Sequence, residues 1–273
     1  MMDKEMKYSG VDHTFAVCAY GQSRYLEECI RSLTQQQVKG NIIIGTSTPN
    51  DHIGRVAAKY GLPVYVNEGT HGLGGDWNFA YSKAKTALVT LAHQDDVYEP
   101  AYLGKILERI NGTKLPLICF SDYFELRNGK RVYSDDSKLL RVKKLMLLPL
   151  KPHAFQSSRW VRRRALSLGN PICCPSVTYV RDNLPEVVFE TRYASNIDWL
   201  AWEQLSRRKG CFCYVPEPLM GHRIHQESTT SEVIGNSNGR SNEDLEMLQR
   251  FWPRPIAKMV NRVYSGAQRE NKT

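Results

Sequence analysis

A chain of 273 residues, 41% of them hydrophobic, is long enough for one substantial core and short for two large domains. Its longest apolar runs, such as Leu145 to Leu148, cannot cross a bilayer, and the start from Met1 to Gly10 lacks the apolar centre of a signal peptide, so the chain is expected to stay where it is made. The net charge of +9 calls for an anionic partner, which charge alone leaves open among nucleic acid, phospholipid and a phosphorylated substrate.

The 7 cysteines follow no repeated spacing, which suits reduced, mostly buried thiols and a cytoplasmic setting. The pairs Cys173 with Cys174 and Cys211 with Cys213 lack the spacing of structural zinc sites. The positive excess is local. Lys138, Arg141, Lys143, Lys144, Lys151, Arg159, Arg162, Arg163 and Arg164 fall between Lys138 and Leu168, where there is no Asp or Glu.

Strand-like and helix-like segments alternate through the first half. The apolar run His13 to Tyr20 reads as a strand. A helix follows from about Arg24 to Leu33, with Leu26, Cys29, Ile30 and Leu33 on one face and Ser23 as cap. Then come a strand Asn41 to Thr46, a helix Ile53 to Tyr60 and a strand Pro63 to Val66. A helix Asp76 to Lys85, a strand Leu88 to Ala92, a helix starting at Pro100 and a strand Leu115 to Phe120 complete the series. This order implies a mainly parallel sheet with helices on both faces, whose functional residues gather beyond the C-terminal strand ends.

After Phe120 the alternation breaks. A turn at Asn128 and Gly129, the basic stretch, a strand Ser176 to Arg181 and a helix Ile197 to Arg207 are expected. Gly235 to Asn242 reads as a linker, and a short helix should start at Ser241, boxed by Asp244, and stop before Pro253.

Four segments carry chemistry. The strand from Leu88 ends in His93, Gln94, Asp95 and Asp96, a polar tip suited to a hard divalent ion, or else an Asx turn. The loop from Asn67 to Asp76 runs glycine-rich into a helix N-terminus, where backbone can approach an anion. It is neither a dinucleotide fingerprint nor a P-loop, and taken alone it reads first as a plain flexible loop. Asp198 opens a helix, where Ser195 and Asp198 also have the spacing of a capping box. His222, Arg223, His225, Ser228 and Thr229 form a loop able to bind metal or phosphate, or to serve only structure.

These segments occur in the order found in family 2 glycosyltransferases of the GT-A fold, which the chain resembles from about Thr14 to Ser231. Cys18 to Leu33 resembles the opening motif, Gly72 to Asn78 the glycine-rich loop and Asn-bearing helix, and His93 to Asp95 the metal-binding DXD. Asp198 matches the catalytic base, and Arg223, His225 and Ser228 the Arg-x-His-x-x-Ser ending. His93 stands in place of the first Asp of the DXD, Ser47 and Thr48 stand near the usual acidic pair, and Ile197 replaces the Glu before the base.

The resemblance implies an α/β, Rossmann-like GT-A domain over residues 1–231, with a donor half of about 11–122 and an acceptor half of about 123–231. A linker and C-terminal helical tail follow over 232–273. It implies an inverting, metal-dependent transfer from a nucleotide diphosphate sugar, UDP-linked by preference, to a saccharide or lipid-linked hydroxyl in bacterial cell-surface synthesis. Ala19, Tyr20, Gly21, Ser47, Gly74, Asp76, Asn78, His93 and Gln94 would line the donor site. Asp95 and His225 would hold Mn²⁺ or Mg²⁺, and Asp198 would take the acceptor proton. Asp122, Cys174, Pro175 and Trp199 would lie toward the acceptor. The run Val142 to Leu150 mixes apolar and cationic residues as a peripheral, membrane-interfacial segment would, or as an ordinary basic face would. Two rival readings are a non-catalytic sugar-nucleotide binder, suggested by His93, and a nucleic-acid binder stacking bases on Trp160 and Tyr179. The second leaves the Asp pair unexplained.

Overall fold

The structure is a computed structural model that describes residues 7–225 and 237–270. Ser228, Thr229 and the first part of the expected linker lie outside the described residues. The strands are β1 (His13–Ala19), β2 (Asn41–Thr46), β3 (Val64–Val66), β4 (Leu88–His93), β5 (Val97–Tyr98), β6 (Pro116–Arg127), β7 (Lys130–Val132), β8 (Val177–Val180) and β9 (Cys211–Ile224). They form one sheet in the order β3-β2-β1-β4-β8-β6-β9-β5, with β7 paired to β6. Along this path β8 is the reversed core strand, antiparallel to both β4 and β6, while β9 runs parallel to β6. Its reversal brings the start of β8, rather than its end, to the edge where β4 terminates. Residues 170–176 thereby reach the functional edge of the sheet.

Side-chain alternation divides the core. On β1, Phe15, Val17 and Ala19 face α1 (Leu26–Thr34), α2 (Asp51–Tyr60) and α4 (Tyr102–Asn111). Ala16 faces the other layer, built from α3 (Leu73–Lys83), α6 (Arg159–Ala165) and α7 (Ile197–Ser206). The same layer takes Met247 and Leu248 of α8 (Ser237–Gln249) and Ala257 of α9 (Arg254–Glu270), so the C-terminal helices share a core with α7. Trp199 and Trp202 are fully buried there.

Most expected elements form, with shifted ends. α2 is capped by Asn50, whose side chain accepts from the Ile53 amide. The expected turn is the β6–β7 hairpin, with φ of 50° at Asn128 and 77° at Gly129, the left-handed pair that such two-residue turns require. The basic stretch becomes α5 (Lys138–Leu147) and α6, each capped by a serine, Ser137 and Ser158.

Several expectations need correction. Ser23 does not cap α1. The N-cap is Tyr25, and the Ser23 hydroxyl donates to Asp95 at 2.6 Å. α8 starts at Ser237 rather than Ser241, so most of the expected linker is helical, and Asp244 accepts from the Asn196 amide at 2.7 Å. The capping box of Ser195 with Asp198 is absent. Ser195 Oγ donates to Glu243 instead, and the N-cap position is Asn196. Tyr179, a stacking group in the nucleic-acid reading, is fully buried against Tyr81, Phe189 and Trp202 and cannot receive a base.

Candidate active site

The ends of β1, β2, β4 and β9 converge. Gln94 grips the backbone of Tyr20, its amide donating to the Tyr20 carbonyl and accepting from the Tyr20 N–H, both at 2.9 Å. The Gly21 N–H donates to Thr48 Oγ1 at 2.7 Å. These bonds join three strand-end loops into one floor, with the Tyr20 ring exposed above it. Ala19 is buried at the end of β1.

The tip of β4 holds two carboxylates with different surroundings. Asp95 is partly exposed. Its Oδ1 accepts from Ser23, and its Oδ2 lies 3.3 Å from Nε2 of His225 at the end of β9. The two expected metal ligands thus meet, although they lie far apart in the chain. The His225 ring packs edge-on against Tyr25 at 5.1 Å.

Asp96 is buried. It accepts from the Arg223 N–H at 2.9 Å and lies 3.1 Å from His222 Nδ1. Burial pushes the Asp96 carboxyl up, but the His222 charge and hydrogen bond outweigh it and the net shift is downward. Conversely, burial lowers the His222 imidazole, and the Asp96 charge more than restores it above the ordinary histidine range. Both shifts favour the ionised pair, which anchors β9 to the β4 tip. Arg223 reinforces the joint. Its Nε donates to the Asp95 carbonyl, its guanidinium reaches Glu28 at 2.7 Å and it lies over the Tyr25 ring.

His93 stacks on Trp77 with centroids 5.0 Å apart, and its Nε2 is buried without a hydrogen-bond partner among the described residues. Burial lowers its basicity despite nearby Asp96, so the ring is neutral. Asp76 ties the glycine-rich loop to β2, accepting from Asn67 Nδ2 at 2.7 Å and Ser47 Oγ at 3.0 Å. Gly74 is buried, packed by Glu190, Thr191 and Ile197. At Gly75 a Cβ would fall 2.2 Å from the Thr70 carbonyl, which explains why glycine is needed there. Asn78 spends its amide on the backbone of Phe189, donating to the carbonyl at 2.7 Å and accepting the N–H at 3.1 Å.

Asp198 sits in the first turn of α7. Its Oδ2 accepts from Asn170 Nδ2 at 2.7 Å and its Oδ1 from the Trp199 N–H at 2.8 Å. The sequence did not single out Asn170 itself, although it lies in the segment leading to β8. Its Oδ1 is buried without a hydrogen-bond partner among the described residues. Of the expected acceptor residues, Cys174 and Pro175 are buried at the start of β8. The Cys174 thiol is pushed well above its ordinary range, chiefly by burial, and stays protonated. Asp122 is buried at an irregularity in the β6–β9 pairing and accepts from Tyr214 Oη at 2.5 Å. Burial raises its carboxyl against that bond. Trp199 belongs to the core, its indole donating to the Leu166 carbonyl and stacking on Phe251.

Sequence reasoning missed the support of the α7 N-terminus by α8. The Glu243 carboxylate accepts from the N–H groups of Ala194, Ser195 and Asn196 and from Ser195 Oγ. Tyr193 Oη donates to Glu246 at 2.9 Å. No local spacing signals this, because the two segments lie 47 to 53 residues apart.

Among the described residues no three His, Cys, Asp or Glu side chains cluster as a complete metal cage, and no helix is long and apolar enough to cross a membrane. The Asp95–His225 pair suits an ion bound through few protein ligands, the remainder coming from substrate phosphates.

The sequence profile of glycosyl transferase family 2 matches residues 14–168. Solved structures share the fold. The Pyrobaculum calidifontis mannosyltransferase PcManGT, in complex with GDP-Man and Mn2+, has a TM-score of 0.60 at 12% identity, covering 96% of this chain and 70% of that one. S. aureus TarS 1-349 with UDP-GlcNAc has a TM-score of 0.58 at 14% identity, covering 91% and 70%. Glucosyl-3-phosphoglycerate synthase from Mycobacterium tuberculosis, with Mn2+ and UDP-glucose, has a TM-score of 0.57 at 14% identity, covering 89% and 79%. A search of curated proteins finds no match.

Proposed function

Because the chain belongs to glycosyl transferase family 2, we propose that it is an inverting transferase moving a sugar from a nucleoside diphosphate donor to a hydroxyl of a saccharide or lipid-linked acceptor. UDP is the favoured nucleotide, and bacterial cell-surface polysaccharide or glycolipid synthesis at the inner face of the membrane is the setting. The observation that carries this reading is the meeting of Asp95 with His225 at 3.3 Å, on a floor made by the ends of β1, β2 and β4.

Asp95 and His225 would hold a divalent ion, Mn²⁺ or Mg²⁺, which when bound neutralises charge on the departing diphosphate. The buried Asp96–His222 pair fixes the strand ends on which these ligands stand. Tyr20 and the floor loops would receive the nucleoside, with the glycine-rich loop and the start of α3 beside them. Asp198 would accept the proton of the attacking hydroxyl, a role worth about 10²–10⁴-fold in rate. The Asn170 amide and the Trp199 N–H hold its carboxylate in one orientation. A single displacement with one base inverts the anomeric centre.

Calorimetric titration of UDP-glucose, UDP-GlcNAc and GDP-mannose tests this, with Mn²⁺ and with EDTA, in wild type and Asp95→Asn. At least one donor should bind in a Mn²⁺-dependent manner to wild type, and that dependence should vanish in the variant. Equal binding with EDTA, or unchanged Mn²⁺-dependent binding in folded Asp95→Asn, would remove Asp95 from the proposed role.

A further inference from the structure

Helix α5 has two unlike sides. Its inner side packs Leu140 and Leu147 into the protein, and Lys143 there donates to Tyr123 Oη at 2.8 Å. The Tyr123 ring lies edge-on to His222 of the candidate site. Its outer side exposes Val142 and Leu145, and Leu148 just past its end continues the row, three aliphatic residues spaced by three, with Leu145 55% accessible. Beyond α5 the same stretch exposes Phe155 and Trp160, the latter 71% accessible. Exposed cations, Lys138, Arg141, Lys151 and Arg159, are interspersed among these groups.

The structure also shows which charges do not belong to this surface. Arg162 is buried, bonding the carbonyls of Arg208 and Gly210, while Arg163 pairs with Glu203 and Arg164 lies over Trp252. The exposed cations that remain are those beside the aliphatic stripe. The neighbouring carboxylates in sequence, Asp135 and Asp136, precede α5.

We propose that the outer side of α5 and the segment through Trp160 form a docking surface for an anionic lipid bilayer. An aliphatic stripe with flanking Lys and Arg and aromatic residues at its margin matches the acyl boundary and the charged headgroups together. A second copy of the chain is a poor occupant, since a two-fold contact would set this cationic surface against itself. Nucleic acid would use the cations and leave Val142, Leu145 and Leu148 without a counterpart. The inner side of the same helix adjoins the candidate site, so an acceptor anchored in the bilayer would arrive beside His222. That consequence rests on the sugar-transfer reading, whereas docking itself does not.

The test is co-sedimentation with vesicles of phosphatidylcholine alone or with phosphatidylglycerol, which reads binding without turnover. Wild type should bind the anionic vesicles and leave the neutral ones. A cation near such a surface contributes about 1 kcal/mol, or about fivefold in affinity, so Lys151→Ala with Arg159→Ala should weaken binding by about 25-fold. Leu145→Glu should weaken it at least as much, with an unchanged melting temperature because the side chain is exposed. Equal binding to both vesicle types, or indifference to Leu145→Glu, overturns the proposal. So does concentration-dependent dimerisation abolished by Leu145→Glu without vesicle binding, or salt-sensitive oligonucleotide binding in its place. A failure here would leave the donor titrations untouched.

Discussion

Helix α7 lacks a side-chain cap of its own, and Glu243 of α8 instead holds from outside the three residues that lead into it. Truncating it by Glu243→Ala strips the acceptor from three backbone N–H groups and the Ser195 hydroxyl. Water can replace it at exposed Ala194, but the buried Asn196 has less access to solvent. Charge-assisted hydrogen bonds and helix caps together put the cost at about 2–3 kcal/mol, which for a chain of this size lowers Tm by about 5–10 °C. Glu243→Gln keeps an oxygen acceptor and should lose about half as much.

The pH dependence has a definite sign. Burial would raise the Glu243 carboxyl, but the Ser195 hydroxyl and the backbone donors outweigh it and hold the group below its ordinary range. The stabilisation is therefore complete above the unfolded value of about 4.3 and fades as pH falls through the lower folded value. The gap in Tm between wild type and Glu243→Ala should close in that acid window. Asp198 follows Asn196 by two positions, so transfer rate should fall several-fold while donor affinity stays nearly constant. Calorimetric melting across pH, paired with donor titration and turnover, provides the measurement. Equal Tm for wild type and Glu243→Ala at neutral pH, with equal turnover, would refute the external cap.

Asp198→Asn should lower turnover by about 10²-fold or more with donor affinity kept, since an amide accepts no proton at working pH. Near-normal transfer by that variant would send the search for a base elsewhere. Glu203 is fully buried and receives the partly buried Arg163 and Arg250 and the exposed Arg207, so Glu203→Ala should cost about 2–3 kcal/mol by removing the charge-assisted bonds they share. Urea unfolding reads this directly, and a loss under about 1 kcal/mol would mean that the arginines find water instead.

The donor-side fold was legible because it is built from local signals. Apolar periodicity marked α1 and α4, Asn128 with Gly129 marked a turn, and the polar tip after Leu88 to Ala92 marked the end of a buried strand. Asp95 and His225 could be paired beforehand only through the family resemblance, since nothing in their spacing tells that β9 ends beside β4. Where local rules were applied to the second half they chose the wrong partners. Ser195 and Asp198 have the spacing of a capping box, yet a distant carboxylate on α8 takes Ser195 and frees Asp198 to bond with Asn170. The glycine- and serine-rich stretch that opens α8 reads as a linker because composition records intrinsic preference. The helix there draws its stability from Met247 and Leu248 in the core and from the carboxylates that meet α7.

The joint between β4 and β9 also has a kinetic meaning. Asp96 bonds the Arg223 N–H across 127 positions of chain, so loop-closure entropy delays that contact relative to the local β-α units. A nascent chain that has emerged only through β6 can pair β1, β2 and β4, but it carries Asp96 without His222 and Asp95 without His225. On the proposed reading, metal-dependent donor affinity at this edge therefore reports completion of the fold, because His225 reaches Asp95 only once β9 has docked.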